Sequence, residues 1–173
     1  MRLRARDIAL GGTVAAIYVI LTLFVAPLSF FVVQFRLSET LNVLPIFNRR
    51  YILALTVGVF LANFLANAVG FGLGPLDWFW GALQTFIMTS LGYLLSKRFK
   101  KLWQKLAIMV LVSSFMMWMI ALELTIWYPQ FIDDISFTGF LVTWLYLAIS
   151  EAIMVSIGAI IAYYTNKKLD LSK

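Results

Sequence analysis

Four carboxylates fall where carboxylates are costly. Glu39, Asp77, Glu123 and Glu151 lie within or beside long apolar stretches of the 173-residue chain, whereas Asp7, Asp133, Asp134 and Asp170 fall at the ends of such stretches or between them. A carboxylate near the centre of a bilayer costs about 2.5 to 3.5 kcal/mol on insertion scales, so it persists facing a protein interior, where it is paired, neutral or bound to something. Paired carboxylates can do acid–base chemistry or hold a ligand. Other chemistry is missing from the sequence. With no cysteine and no histidine, thiol nucleophiles, imidazole bases, disulfides and the usual zinc and haem ligands are removed, and neither a metal nor a cofactor is expected. No glycine is followed by lysine, so there is no phosphate-cradling P-loop, and any ATP-driven work must come from a partner.

The elements that must position these groups are helices in a membrane. The chain is 62% hydrophobic with a mean hydropathy of +0.92, against roughly half apolar for a globular domain. Apolar stretches run from about Ile8 to Phe30, Tyr51 to Val69, Leu76 to Leu95, Leu106 to Tyr128 and Phe137 to Tyr164, each near or above the ~20 residues that cross a hydrocarbon core. The first is too long for a secretory signal and no A-x-A site follows it.

The segment Arg36 to Asn48, RLSETLNVLPIFN, is the undecided one, and charge settles it. If it crosses, an inside N-terminus puts Arg2, Arg4, Arg6, Arg49, Arg50, Lys97, Arg98, Lys100, Lys101, Lys105, Lys167, Lys168 and Lys173 on the cytoplasmic side and leaves only Arg36 outside. If it does not cross, the run KRFKKLWQK moves outside, against the positive-inside rule. The expected fold is therefore all-α: a polytopic membrane protein with six transmembrane helices, both termini cytoplasmic, and one membrane domain spanning residues 1–173. The net charge of +6 reads as topology and not as nucleic-acid binding. Thirteen helical residues at ~1.5 Å each cover only about 20 Å, so the second span must be short or broken and shielded by its neighbours. The outer loops fall at Phe31 to Phe35, Gly70 to Pro75 and Pro129 to Ser136.

In this topology Glu39, Asp77 and Glu123 lie in the outer half of the membrane and Glu151 about halfway along the sixth span. Gln34, Arg36, Ser38, Asn63, Asn67, Gln84, Trp78, Trp80, Trp127 and Tyr128 share that outer half, enough for an outward-facing pocket with aromatic walls. Plainer readings stand beside this one. Trp and Tyr at such depth anchor helices at the interface, Asp77 beside a helix start serves as a cap, and Arg36 bridges Glu39 structurally. Glu123 and Glu151 are the two read as functional. In the first helix, ALGGTVAAIYV sets Gly11 and Ala15, and Gly12 and Ala16, four apart, a spacing that lets another helix approach closely, from this chain or another.

The stretch VQFRLSETLNVLPIF (Val33 to Phe47), preceded by VAAIYVILTLFVAPLSF (Val14 to Phe30), resembles the QueT family, and the likeness continues through GVFLANFLAN, LDWFWGALQT, ALELTI and ISEAIM. The resemblance implies a substrate-capturing S component of an energy-coupling factor (ECF) transporter, in the plasma membrane of a prokaryote, taking up a queuosine precursor. It implies that the segment around Gln34, Arg36 and Glu39 is the gating loop and second-helix start that cover the pocket from outside, and that Asn63, Asp77, Glu123 and Glu151 are ligand contacts; residue type and depth add Arg36, Glu39, Trp78 and Gln84 to the candidates for substrate binding. It also implies that Gly12 and Ala16, with Gly11 and Ala15, form the surface that docks on a transmembrane coupling subunit attached to two ATPases. A 7-deazaguanine suits such a site: its ring N–H and exocyclic amine are accepted two-point by a carboxylate, an aminomethyl arm welcomes a second carboxylate, and Arg36, Asn63 or Gln84 can donate to the carbonyl. An S component for another vitamin or base is the alternative. An intramembrane enzyme lacks His, Cys and a metal cluster. A channel would need a polar stripe through both leaflets, where LTVGVF and TSLGYLL are apolar.

Overall fold

The computed structural model describes residues 5–29, 35–132 and 134–169. Arg2, Arg4, Gln34, Asp133, Asp170, Lys173 and the outer loop up to residue 34 lie outside them. Every regular element among the described residues is helical. In chain order these are α1 (Ala5–Phe24), the short α2 (Ala26–Ser29), a 3₁₀ helix (Leu37–Ile46), α3 (Arg50–Ala68), α4 (Pro75–Ser96), α5 (Leu102–Met116), α6 (Trp118–Trp127), a 3₁₀ turn (Pro129–Phe131) and α7 (Phe137–Lys168).

Local chemistry sets several of these boundaries. Pro75 opens α4, where its fixed φ suits a first helical turn, after Gly74 at φ 121°, a conformation that glycine reaches without steric cost. Ser136 caps α7 by accepting a hydrogen bond from the Gly139 N–H at 3.3 Å, and Lys167 and Lys168 lie in its last turn, where cations complement the helix dipole. The apolar stretch expected from Leu106 to Tyr128 is two helices, α5 and α6, meeting at Met117.

The short second segment is a ten-residue 3₁₀ helix with Pro45 inside it. At about 2.0 Å per residue it covers ~20 Å, the same reach estimated for a short α-helix, by a tighter winding. Isolated 3₁₀ runs of this length are uncommon; here α1, α3, α4, α5 and α7 surround the segment. Ser38, Asn42, Val43 and Pro45 are buried. Gly158 of α7 makes part of this room, since a Cβ there would overlap the Thr40 carbonyl.

α1 and α3 run parallel. Asp7 pairs with Arg50 at 2.7 Å, an added Cβ at Gly11 would meet Ala54 at 3.7 Å, and one at Gly58 would meet Ala15 at 3.3 Å, a constant offset along the two helices. The chain between them therefore returns to the end from which it started, and the 3₁₀ helix makes that return. Its last residues, Ile46 and Phe47, meet Leu102, Leu106 and Tyr163 in one cluster. The starts of α1, α3 and α5 and the end of α7, all rich in Lys and Arg, thus share one end of the bundle, while Arg36 lies near Asn63 toward the other.

The surface is largely apolar, and polar side chains are buried among the hydrophobic clusters of the interior. Phe24 is 81% exposed and Leu111 65%, whereas Asn42, Asn63 and Glu123 are 0% exposed. Water would not tolerate that arrangement, but lipid would. Four helices are long and apolar enough to cross a membrane by length and composition: Ala5–Phe24, Arg50–Ala68, Leu102–Trp127 taken as one, and Phe137–Lys168. α4 has the length, 22 residues, but carries Asp77, Trp78, Trp80 and Gln84.

Candidate functional site

Arg36 enters the 3₁₀ helix from an extended residue position and is 8% exposed. Its Nε donates to the Ser29 carbonyl at 3.0 Å and Nη1 to Asn63 Oδ1 at 3.4 Å. The planar fork of a guanidinium holds two such acceptors in fixed directions, which a freely rotating ammonium does not. Asn63 Nδ2 donates in turn to the Asp77 carbonyl at 3.2 Å, tying α3 to the first turn of α4. Gly81 leaves space for that amide, because a Cβ there would lie 2.8 Å from Asn63 Nδ2.

One turn into the 3₁₀ helix, Glu39 accepts from the Tyr18 hydroxyl at 2.6 Å and from Asn42 Nδ2. The same amide nitrogen donates to Glu151 Oε1 of α7 at 3.2 Å. The i to i+3 spacing of Glu39 and Asn42 eclipses them on one face of a 3₁₀ helix, which is why one amide reaches both carboxylates.

Asp77 and Glu123 form a second acidic pair, 2% and 0% exposed. Asp77 Oδ2 and both Glu123 carboxylate oxygens have no hydrogen-bond partner. The two groups lie within Coulombic reach of each other and of Arg36. Arg36 also lies within reach of Glu39 and Glu151, so one guanidinium lies near four carboxyl groups, of which Asp77, Glu123 and Glu151 are buried. Among the described residues no cluster of three or more potential ligands is arranged to hold a metal.

A narrow cavity, about 20 Å³, opens between these groups. Arg36, Glu39, Gln84 and Glu151 supply its charged and amide surface, Thr85 a hydroxyl, and Val59, Gly81, Met117 and Ile120 its apolar walls. Gln84 Nε2 has only the sulfur atoms of Met88 and Met117 near it, at 3.6 and 3.9 Å. Sulfur is a weak acceptor, and the amide keeps donor capacity for a better partner.

Of the residues singled out from the sequence, Arg36, Glu39, Gln84 and Glu151 line this cavity; Asn63 holds Arg36; Asp77 and Glu123 stand beside it. Trp78 is set edge-on to Phe64, ring centres 4.9 Å apart, and Trp80 donates from Nε1 to the Met119 carbonyl at 2.9 Å. The cavity is therefore walled by aliphatic and sulfur side chains and by the bare backbone of Gly81, not by these indoles. Tyr18, Asn42, Val59, Gly81, Thr85, Met117 and Ile120 belong to the site and were not singled out. Gly81 had a signal: it lies one turn from Asp77 and one from Gln84 on the same helical face. On α1, Gly11 and Ala15 face α3, whereas Gly12 and Ala16 are exposed and a Cβ on Gly12 would meet nothing within 4 Å.

The sequence pattern of the QueT transporter family matches residues 8–167. The chain is 37% identical over 176 aligned positions, 96% of each chain, to the queuosine precursor transporter QueT of Lactococcus lactis subsp. cremoris (strain MG1363). No solved structure matches it significantly. With the match running through every element that builds the cavity, the chain belongs to the QueT transporter family, a family of transporters and not of enzymes.

Proposed function

We propose that this chain is the substrate-capturing S component of an ECF-type importer in a prokaryotic plasma membrane, and that it binds a queuosine precursor of the 7-deazaguanine class. One observation carries the reading: Glu39 and Glu151, far apart in sequence, converge with Arg36 and Gln84 on a single cavity inside the bundle. Carboxylates accept the ring N–H and exocyclic amine of such a base two-point, and Arg36 or Gln84 donates to its carbonyl. The cavity is narrow, so binding moves side chains aside, as is common when pockets fill. The name of the Lactococcus relative supports the same substrate class.

In this reading the whole chain is one membrane domain of six spans with both termini cytoplasmic. The shared basic end and the parallel α1 and α3 support that topology. The pocket loads from the outside, Gly12 and Ala16 dock on the transmembrane coupling subunit, and two partner ATPases drive reorientation. Neither a cofactor nor nucleic acid takes part. The test is calorimetric titration of the purified chain with 7-deazaguanines, without nucleotide. Submicromolar binding without turnover is expected, and no binding at tens of micromolar would remove the proposal.

A further inference from the structure

The two acidic pairs differ in what they lack. Glu39 already receives Tyr18 and Asn42, and Glu151 receives Asn42; both still face the cavity. Asp77 and Glu123 receive nothing at three oxygens while being almost wholly buried. A buried acceptor with no donor is costly, and more so if charged. Three such atoms on one pair mark a place shaped for a donor from elsewhere.

Their position says how far that donor stands from the cavity. On α4, Asp77, Gly81 and Gln84 follow one face at successive turns; across from them Met117, Ile120 and Glu123 do the same. Gly81, Gln84, Met117 and Ile120 line the cavity, so Asp77 and Glu123 stand one turn beyond it on both walls, about 5 Å further along. That is the reach of a short arm on a ring seated in the cavity.

The donor's chemistry follows from the acceptors. The flat N–H edge of a base offers two parallel donors and no charge, which suits one carboxylate. An ammonium offers three diverging donors and a positive charge, which suits oxygens from two carboxylates on two helices.

We infer that Asp77 and Glu123 form an ammonium subsite that holds the aminomethyl arm of a 7-deazaguanine, while Glu39 and Glu151 face the base itself, so the chain selects the aminomethyl precursor over one with an uncharged arm. This rests on the proposed function above and assigns its carboxylates. The experiment titrates the full chain in lipid nanodiscs with 7-aminomethyl- and 7-cyano-7-deazaguanine, for the wild type, Asp77→Asn, Glu123→Gln and Glu151→Gln. The wild type is expected to prefer the aminomethyl ligand by at least ~10-fold. Asp77→Asn and Glu123→Gln should each erase that preference while holding the cyano ligand within ~3-fold of wild type, a result that also certifies their folding; Glu151→Gln should weaken both ligands alike.

Equal wild-type affinity for the two ligands overturns the assignment and leaves the proposed function standing. So does a Glu123→Gln variant that loses both ligands equally, or that keeps the full preference, since its carboxyl would then be a neutral structural group. A wild type that binds neither ligand sinks the proposed function first.

Discussion

Asn42 joins Glu39 to Glu151: its Nδ2 donates to both carboxylates, reaching Glu151 Oε1 at 3.2 Å across 109 residues of chain. Two carboxyl groups held this close repel when both are charged, and the amide is the group that lets them share a wall. Asn42→Ala removes that donor and should lower unfolding stability by about 1–3 kcal/mol. Asn42→Asp, which replaces the donor with a third acceptor, should cost more. Thermal unfolding in detergent, followed by tryptophan emission, reads both; an Asn42→Asp variant as stable as wild type would show that the bridge is incidental.

Arg36 should be harder to replace than any single carboxylate. It ties Ser29 to Asn63 and is the cation within reach of Glu39, Asp77, Glu123 and Glu151. Removing one partner of a buried charge network costs about 3–5 kcal/mol, so Arg36→Gln should fold poorly or lose ligand binding entirely. Arg36→Lys keeps the charge without the fork and should fall between. If Arg36→Gln bound and melted like the wild type, the guanidinium would have no part in organising the acids.

Glycine at two positions should respond with opposite sign. Alanine is the better helix former by about 1 kcal/mol, and at Gly12 a Cβ meets nothing, so Gly12→Ala should be neutral or mildly stabilising. At Gly158 the same Cβ would overlap the Thr40 carbonyl, forcing α7 away from the 3₁₀ helix. Overpacking of this kind costs about 1–3 kcal/mol, which outweighs the helix gain. Equal melting temperatures for Gly158→Ala and wild type would mean that the 3₁₀ helix is free to move.

The parts legible in the sequence were those that depend on residue type along one segment. The brevity of Arg36 to Asn48 marked the second segment as short and shielded, and four costly carboxylates marked an interior. What stayed illegible depends on how helices are rotated against each other. The helices of this bundle are apolar almost all round, so periodicity does not say which face turns inward. That Asn42 would bridge Glu39 and Glu151, that Gly81 would make room for Asn63, and that Trp78 and Trp80 would be taken up by Phe64 and the Met119 carbonyl all follow from such rotations. The 3₁₀ winding was hidden for a similar reason, because the surrounding helices and Gly158 hold it and its own residues do not demand it.

Under the proposed function, the two small pairs on α1 should separate folding from coupling. Gly11 and Ala15 are spent on α3, where Ala54 and Gly58 come close, while Gly12 and Ala16 lie on the exposed face a quarter turn away. A bulky side chain at Gly11 would push α1 from α3, so Gly11→Leu should melt lower and bind ligand weakly. Gly12→Leu should melt and bind ligand like the wild type, yet fail to co-purify with the coupling subunit and its ATPases, because close approach of another helix needs small residues there. Ligand titration and co-purification on the same two variants distinguish the roles. A Gly12→Leu protein that assembles and transports normally would place the docking surface on another face of the bundle.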